Sequence, residues 1–283
     1  MTLNVLVMCP VLFVIAIVKF LLPVPALRRL LSRLMTAVAE TWIGNNNAIF
    51  RAFGVLPVEA RGLEGLTTGE WYLVVSNHRS WVDILVLQSV FNRRIPFLKF
   101  FLKQQLVWVP FLGLAWWALD FPFMRRYTAA HLAKHPEDRG KDLEATRRAC
   151  EKFRLIPTSV MNFVEGTRYT PAKHAALQSP YKHLLPPRPG GVAFVLSAMG
   201  GTLHSLLDVT IAYPGGTPSL WDLCCGRIRR VDVDVRRRLL EPWLCEGDYG
   251  EDEAYRERFK RWLADLWSEK DALLGQLLGE APR

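Results

Sequence analysis

The first unbroken apolar stretch runs from Leu3 to Leu22, LNVLVMCPVLFVIAIVKFLL, in which only Asn4, Pro10 and Lys19 are not apolar. As a helix it has the ~20 residues needed to cross a ~30 Å hydrocarbon core. A cleaved signal peptide wants a basic start, a shorter core and a small-residue cleavage site. Here the first cation is Lys19, and the run passes directly into Pro23-Val24-Pro25 and then Arg28, Arg29 and Arg33. Positive charge on the C-terminal side of the span predicts a cytoplasmic location for the rest of the chain. The pattern then changes to a helical period, with Leu27, Leu30, Leu31, Leu34, Val38, Trp42 and Ile49 separated by arginines and other polar residues. It predicts an amphipathic helix over 25–53, packed on a core or lying at the membrane surface.

Between about residues 60 and 240, short apolar runs alternate with helical segments. Trp71–Ser76 reads as a buried strand, followed by a helix over Trp81–Phe91. Ser159–Val164 is a second strand, preceded by a helix over Gly140–Arg154. Ala193–Ala198 lies in a helix, and Leu206–Tyr213 and Ile228–Val235 read as strands. Strands separated by helices predict an α/β fold, a mixed and largely parallel sheet flanked by helices. Tyr255, Phe259, Trp262, Leu266, Leu273 and Leu277 mark a final amphipathic helix bracing that sheet. The expected segmentation is an N-terminal anchor over 1–24, a membrane-proximal helix over 25–56, an α/β domain over 57–240 and the C-terminal helix over 241–283. Leu106–Leu119 stands apart: 14 residues without a charge, interrupted by Pro110 and Gly113. Such a run is too short to span a bilayer and belongs in a core, an apolar tunnel or the interface.

Composition narrows the function. With 50% hydrophobic residues the chain is not a disordered tail, and with 22% charged residues it is not a polytopic transporter. Thirty-six Lys and Arg against 27 Asp and Glu give +9, which together with ten Trp points to polyanionic partners: nucleic acid, anionic lipid or a phosphorylated substrate. The five cysteines form no C-x-x-C pair, so a reducing compartment and no disulfide framework are expected.

Three blocks carry candidate chemistry. Asn77-His78-Arg79-Ser80-Trp81-Val82-Asp83 comes directly after the strand WYLVVS, at the strand end where α/β sheets bind ligands. If Ser80 caps the next helix, Asp83 sits in its first turn and can fold back on His78, fixing its tautomer for general-base work. Ser80-x-x-Asp83 is equally a capping-box variant. Phe163-Val164-Glu165-Gly166-Thr167-Arg168 is a glycine turn ending in a guanidinium, suited to a phosphate or to an ordinary exposed ion pair. Phe121-Pro122-Phe123-Met124-Arg125-Arg126 closes an aromatic run on two arginines.

In this order the blocks resemble the glycerolipid acyltransferase family, most closely its bacterial 1-acylglycerol-3-phosphate acyltransferases. The family signature is His-x-x-x-x-Asp, a block ending in Phe-x-x-Arg, Glu-Gly-Thr-Arg, and an apolar strand with proline. The matching positions are His78 to Asp83, Phe123 to Arg126, Glu165 to Arg168 and, more weakly, Leu206–Pro214. Lys103-Gln104-Gln105-Leu106 with Pro110 and Gly113 looks like the family's acyl-channel segment, which makes Lys103, Trp108, Phe111, Trp116 and Trp117 channel candidates. The resemblance covers roughly 60–215. Two positions depart from it: Val164 stands where the family usually has Pro, and Asp208-Val209-Thr210-Ile211 where it shows Val-Pro-Val.

The resemblance implies acyl transfer from acyl-CoA or acyl carrier protein to the sn-2 hydroxyl of 1-acylglycerol 3-phosphate, giving phosphatidic acid. His78 would be the base and Asp83 its orienter, with Arg126, Glu165, Gly166, Thr167 and Arg168 at the acceptor phosphate. It further implies no cofactor beyond the thioester co-substrate, membrane lipid as a partner, and a bacterial inner-membrane location facing the cytoplasm. There is no G-x-S-x-G elbow, no H-E-x-x-H and no Cys/His cluster, so neither a serine nucleophile nor a metal is expected. No nucleic-acid module accompanies the charge. The competing readings are another lysophospholipid acceptor, hydrolysis by His78, and a non-catalytic membrane lipid-binding protein. His131, His135, His174, His183 and His204 are read as scattered surface or core residues, and Pro186–Gly191 as a loop in which Arg188 is placed to touch a phosphate.

Overall fold

A computed structural model of the protein describes residues 2–22, 24–124, 150, 151, 153, 156–203 and 205–280. In chain order its strands are β1 (Val58–Arg61), β2 (Tyr72–Ser76), β3 (Leu98–Phe100), β4 (Leu102–Lys103), β5 (Phe123–Met124), β6 (Ser159–Phe163), β7 (Ser205–Ala212) and β8 (Val231–Leu239). The helices used below are α1 (Thr2–Leu21), α2 (Pro25–Phe53), α3 (Val82–Phe91), α4 (Leu112–Ala118), α5 (Pro171–Ala176), α6 (Pro189–Met199), α7 (Leu220–Cys224), α8 (Trp243–Glu246) and α9 (Glu253–Leu277).

By compactness the chain forms two units. One takes the residues up to Ile49 and then Lys99–Ile156; the other takes Phe50–Leu98 and everything from Pro157. By this measure residues 99–156 group with the N-terminal helices, and α9 groups with the sheet.

In the first unit, α1 is apolar and long enough to cross a membrane by length and composition. Its two polar interruptions are matched within the unit. Asn4 Nδ2 donates to Trp42 O at 2.8 Å and to Asn46 Oδ1 at 3.0 Å, and Lys19 Nζ pairs with Asp120 at 2.9 Å. Unpaired, either group would carry a large desolvation penalty in an apolar setting. Cys9 and Leu12 of α1 pack with Met35, Ala115 and Ala118. The run Leu106–Leu119 is not one element. A 3₁₀ turn over Gln104–Trp108 gives way to α4, and the break falls at Phe111, which follows Pro110 and has φ 61°.

The second unit is built on strands in the order β1-β8-β7-β2-β6. β2 runs parallel to both β6 and β7, β1 runs parallel to β8, and β7 pairs antiparallel with β8. The sheet is therefore mixed and largely parallel. All residues of β2 and of β7 are buried, which is why these strands read as mostly apolar runs rather than as alternation, with Asp208 and Thr210 interrupting β7. α9 packs on β7 and on α6. The last expected strand, Ile228–Val235, is displaced to Val231–Leu239, and β1 was not expected at all. The expected helix over Gly140–Arg154 lies almost wholly outside the described residues. Register positions the chemistry: Ser76 of β2 lies opposite Phe163 of β6 and Val209 of β7. The loops after these parallel strands thus leave the same edge of the sheet, where such sheets place ligands.

Candidate active site

His78 leaves that edge two residues beyond β2. The loop is pinned by Asn77, whose side chain donates to Ile211 O and accepts from Ile211 N, both at 2.9 Å. Ser80 Oγ donates to Pro218 O at 2.5 Å and accepts from Val82 N at 3.0 Å, setting the start of α3. Asp83, in the first turn of α3, folds back as expected. Its Oδ2 lies 2.8 Å from His78 Nδ1 and accepts from the backbone N–H of Arg79 at 2.6 Å and of Ser80 at 2.9 Å. Oδ1 accepts from Tyr213 Oη at 2.6 Å. The Asp83 side chain is fully buried, and that of His78 is 13% exposed.

This bonding sets the tautomer. Facing a carboxylate, a neutral His78 places its proton on Nδ1 and leaves the lone pair on Nε2. Burial and the neighbouring Asp83 push the Tyr213 phenol well above its ordinary range, so it stays a donor. The imidazole stacks on Phe163, with ring centroids 3.9 Å apart and planes 14° apart. The ring is thereby held in one orientation, which a base needs before its pKa matters.

Glu165 is 1% exposed and does not point outward. One carboxylate oxygen accepts from His78 N at 2.8 Å, and the other from Leu185 N at 3.0 Å. Burial pushes this carboxyl up to about 7, while the two N–H donors and the Arg79 guanidinium pull it down. Its position in the sequence block suggests the acceptor phosphate; its geometry makes it a clamp between three loops. Arg79 donates from Nη2 to His183 O at 2.7 Å and lies over the Tyr169 ring, and burial lowers its pKa.

The remaining candidates in this unit face outward. Gly166 has φ 68°, and the Arg188 side chain crosses so close above its Cα that a Cβ would come within 2.9 Å of Arg188 Cδ. The positive φ is what calls for glycine there, while a Cβ would also require the flexible Arg188 side chain to shift. The Arg168 guanidinium sits over Trp81, 4.6 Å from the ring centroid. Thr167 Oγ1 accepts from Lys173 Nζ at 2.7 Å, which leaves its hydroxyl hydrogen free to donate. Arg168, Lys173 and Arg188 together give this face a positive character. Among the described residues, no three His, Cys, Asp or Glu side chains group together as a metal site.

A family model described as Acyltransferase matches residues 57–214. The chain belongs to the acyltransferase family. Among proteins it resembles is 1-acyl-sn-glycerol-3-phosphate acyltransferase gamma of Mus musculus, 31% identical over 215 residues, which cover 72% of this chain and 52% of that protein. Another is 1-acyl-sn-glycerol-3-phosphate acyltransferase delta of Macaca fascicularis, 26% identical over 86% of this chain and 60% of that one. The chain thus spans about half the length of the first of these relatives. Its structure is also similar, at 18% identity and a TM-score of 0.49, to the 1-acyl-sn-glycerophosphate (LPA) acyltransferase PlsC of Thermotoga maritima, covering 94% of this chain and 98% of that one.

Within the acyltransferase match the structure brings together His78, Asp83, Glu165, Gly166, Thr167 and Arg168. Arg126 lies outside the described residues. The channel candidates belong to the other unit, where Lys103, Trp108, Phe111 and Trp117 are exposed, Trp108 at 85%, and Trp116 is half-buried. Tyr213, Phe163, Asn77 and Lys173 were given no role from sequence. Tyr213 had one available signal, since it ends a strand predicted from sequence, and the structure pairs that strand with the one leading to His78.

Proposed function

We propose that this protein transfers a fatty acyl group from an acyl thioester to the sn-2 hydroxyl of 1-acylglycerol 3-phosphate, releasing phosphatidic acid and the free thiol. The observation that carries the reading is the His78–Asp83 pair: Nδ1–H held by a buried carboxylate, Nε2 bare at a partly open edge. In the forward step Nε2 takes the hydroxyl proton as the alkoxide oxygen bonds to the thioester carbonyl carbon. The C–S bond then breaks, and the imidazolium returns the proton to the departing thiolate. Base assistance of this kind is worth ~10²–10⁴-fold. Asp83 orients the ring and stabilises the imidazolium.

Arg168 and Thr167 are our assignment for the acceptor phosphate, joined by Lys173 and Arg188; the match to the Phe-x-x-Arg block proposes the same role for Arg126 from sequence alone. A phosphate there gains charge-assisted and bidentate bonds while the sn-2 hydroxyl reaches Nε2. The names of the relatives support this acceptor. We assign the exposed apolar segment Trp108–Trp117 to acyl chains or lipid, and α1 to anchoring the chain in a membrane where both substrates concentrate. A catalytic unit facing the cytoplasm suits a polyanionic CoA or carrier-protein donor.

The test is acyl transfer in detergent or lipid, with labelled acyl-CoA, a panel of lysophospholipids and His78→Ala alongside. Phosphatidic acid formed only from 1-acylglycerol 3-phosphate, and lost in the variant, is the expected result. Product from another lysolipid would move the acceptor; free fatty acid regardless of acceptor would sink the transfer reading.

A further inference from the structure

The family model ends at residue 214, yet α9 reaches the active site through a short relay. Trp267, Lys270, Asp271 and Leu274 recur three or four apart and so lie along one side of the helix. Lys270 bonds to β7, with Nζ donating to Val209 O at 2.6 Å. Trp267 and Asp271 serve a different segment, residues 182–185. Trp267 Nε1 donates to Leu185 O at 3.0 Å. Asp271 accepts from Lys182 N at 2.9 Å through Oδ2 and from His183 N at 2.8 Å through Oδ1.

The same four residues then enter the site. Leu185 N donates to Glu165 Oε2 at 3.0 Å, and His183 O accepts from Arg79 Nη2 at 2.7 Å. Glu165 Oε1 takes the N–H of His78 itself at 2.8 Å. No helix or strand supplies bonds to the 182–185 backbone from within that segment, so its placement depends on what holds it from outside. A carboxylate taking two consecutive N–H groups is a rigid two-point grip. Removing it leaves two donors to be satisfied elsewhere, and the segment must move to do so.

We propose that Asp271, together with Trp267, is a positioning residue for acyl transfer: it holds residues 182–185 so that Glu165 and Arg79 keep the His78–Asp83 loop in its reacting geometry. The inference rests on the acyltransferase reading of this site. It gives α9, outside the matched family region, a part in catalysis that packing alone does not require.

Asp271→Asn in the full chain is the test, because it keeps the size of the side chain but leaves one acceptor oxygen for two N–H groups. The expected result is a kcat for 1-acylglycerol 3-phosphate lower by about tenfold, with KM within twofold, as for one lost hydrogen bond in the relay. The acid limb of the pH–rate profile moves to higher pH, because the Leu185 N–H is one of two donors that favour ionised Glu165; the other groups facing it, Arg79, Asp83 and Lys270, are unchanged. Hydrogen exchange speeds up not only in 182–185 but also in peptides carrying the amide of His78. Phe259→Leu is the control: it trims a fully buried side chain of the same helix two turns before Trp267, where the ring packs on Tyr249, Tyr255 and Trp262, and it lowers Tm. If Asp271→Asn matches that control, with Tm lowered but the pH limb and the exchange around His78 unmoved, the positioning role is wrong and acyl transfer stands. If the unaltered chain transfers no acyl group, the reading of the reaction fails, and the exchange data alone decide whether α9 is coupled to His78.

Discussion

Two buried aspartates in the sheet unit, Asp83 and Asp208, are held in opposite ways. Asp83 receives two backbone N–H groups, the Tyr213 hydroxyl and His78 Nδ1, and none of these hydrogen bonds comes from a permanent cation. Asp208 faces Lys270 Nζ at 2.5 Å and Arg238 Nη2 at 3.3 Å. Burial lowers the Lys270 pKa and Asp208 opposes that, so the pair neutralises itself inside the fold. A carboxylate already matched to two cations gains little from a third positive charge. One held by neutral dipoles keeps its potential for the imidazolium that appears when His78 takes a proton. Burial and hydrogen bonding do not separate the carboxylate we assign to catalysis from the one matched by two cations; the sign of their partners does.

Four substitutions break or sharpen that contrast. Asp83→Asn should lower kcat by about 10³-fold, within the range of general-base effects, with a small change in Tm. Lys270→Met should do the reverse: it strands a buried carboxylate beside Arg238 alone, at a cost of about 3–5 kcal/mol in a denaturation curve. Activity per folded molecule should stay within about threefold. Tyr213→Phe removes one neutral donor from Asp83 and should lower kcat about tenfold and folding stability by about 1–3 kcal/mol, as for one buried hydrogen bond.

The smallest effect concerns Glu165, whose folded-state pKa of about 7 lies above the ordinary carboxylate value of 4.5. As pH falls from 7 towards 4.5 the folded chain takes up this proton before the unfolded chain does. This one group therefore favours the fold on the acid side and loses that contribution as pH rises through 7, at most ~3 kcal/mol in all. Activity should run the other way. A protonated Glu165 meets an N–H with its own O–H, and the grip on His78 or Leu185 slackens. Stability and kcat measured across pH 5–8 should diverge, and Glu165→Gln should flatten both profiles.

β2 and β7 were legible because they are buried on both faces and read as mostly apolar runs even with Asp208 and Thr210 inside β7, whereas β6 is buried only over Ser159–Met161. The Ser80-x-x-Asp83 spacing was legible only in part: the helix is capped at Trp81 with no side-chain cap, and of the capping box only the Asp83 half forms, its Oδ2 taking the N–H groups of Arg79 and Ser80 while it orients His78. Tyr213 was not, since it reaches Asp83 across 130 positions and only the register of β7 on β2 brings it there. Glu165 was read with its neighbours Thr167 and Arg168, because chain order does not reveal that its partners are backbone groups 87 and 20 positions away. β8 was cut short at Val235, where apolar alternation stops. The strand continues because its backbone still pairs with β7, and Arg237 and Arg238 bond sideways to Ser205 and Asp208.

The most direct test of the central claim is the tautomer of His78, read from its imidazole ¹⁵N shifts and assigned with His78→Ala. The account predicts a protonated Nδ1 and a bare Nε2 in the resting protein, with that preference lost in Asp83→Asn. A resting His78 protonated at Nε2, or one indifferent to the loss of the Asp83 charge, would contradict it.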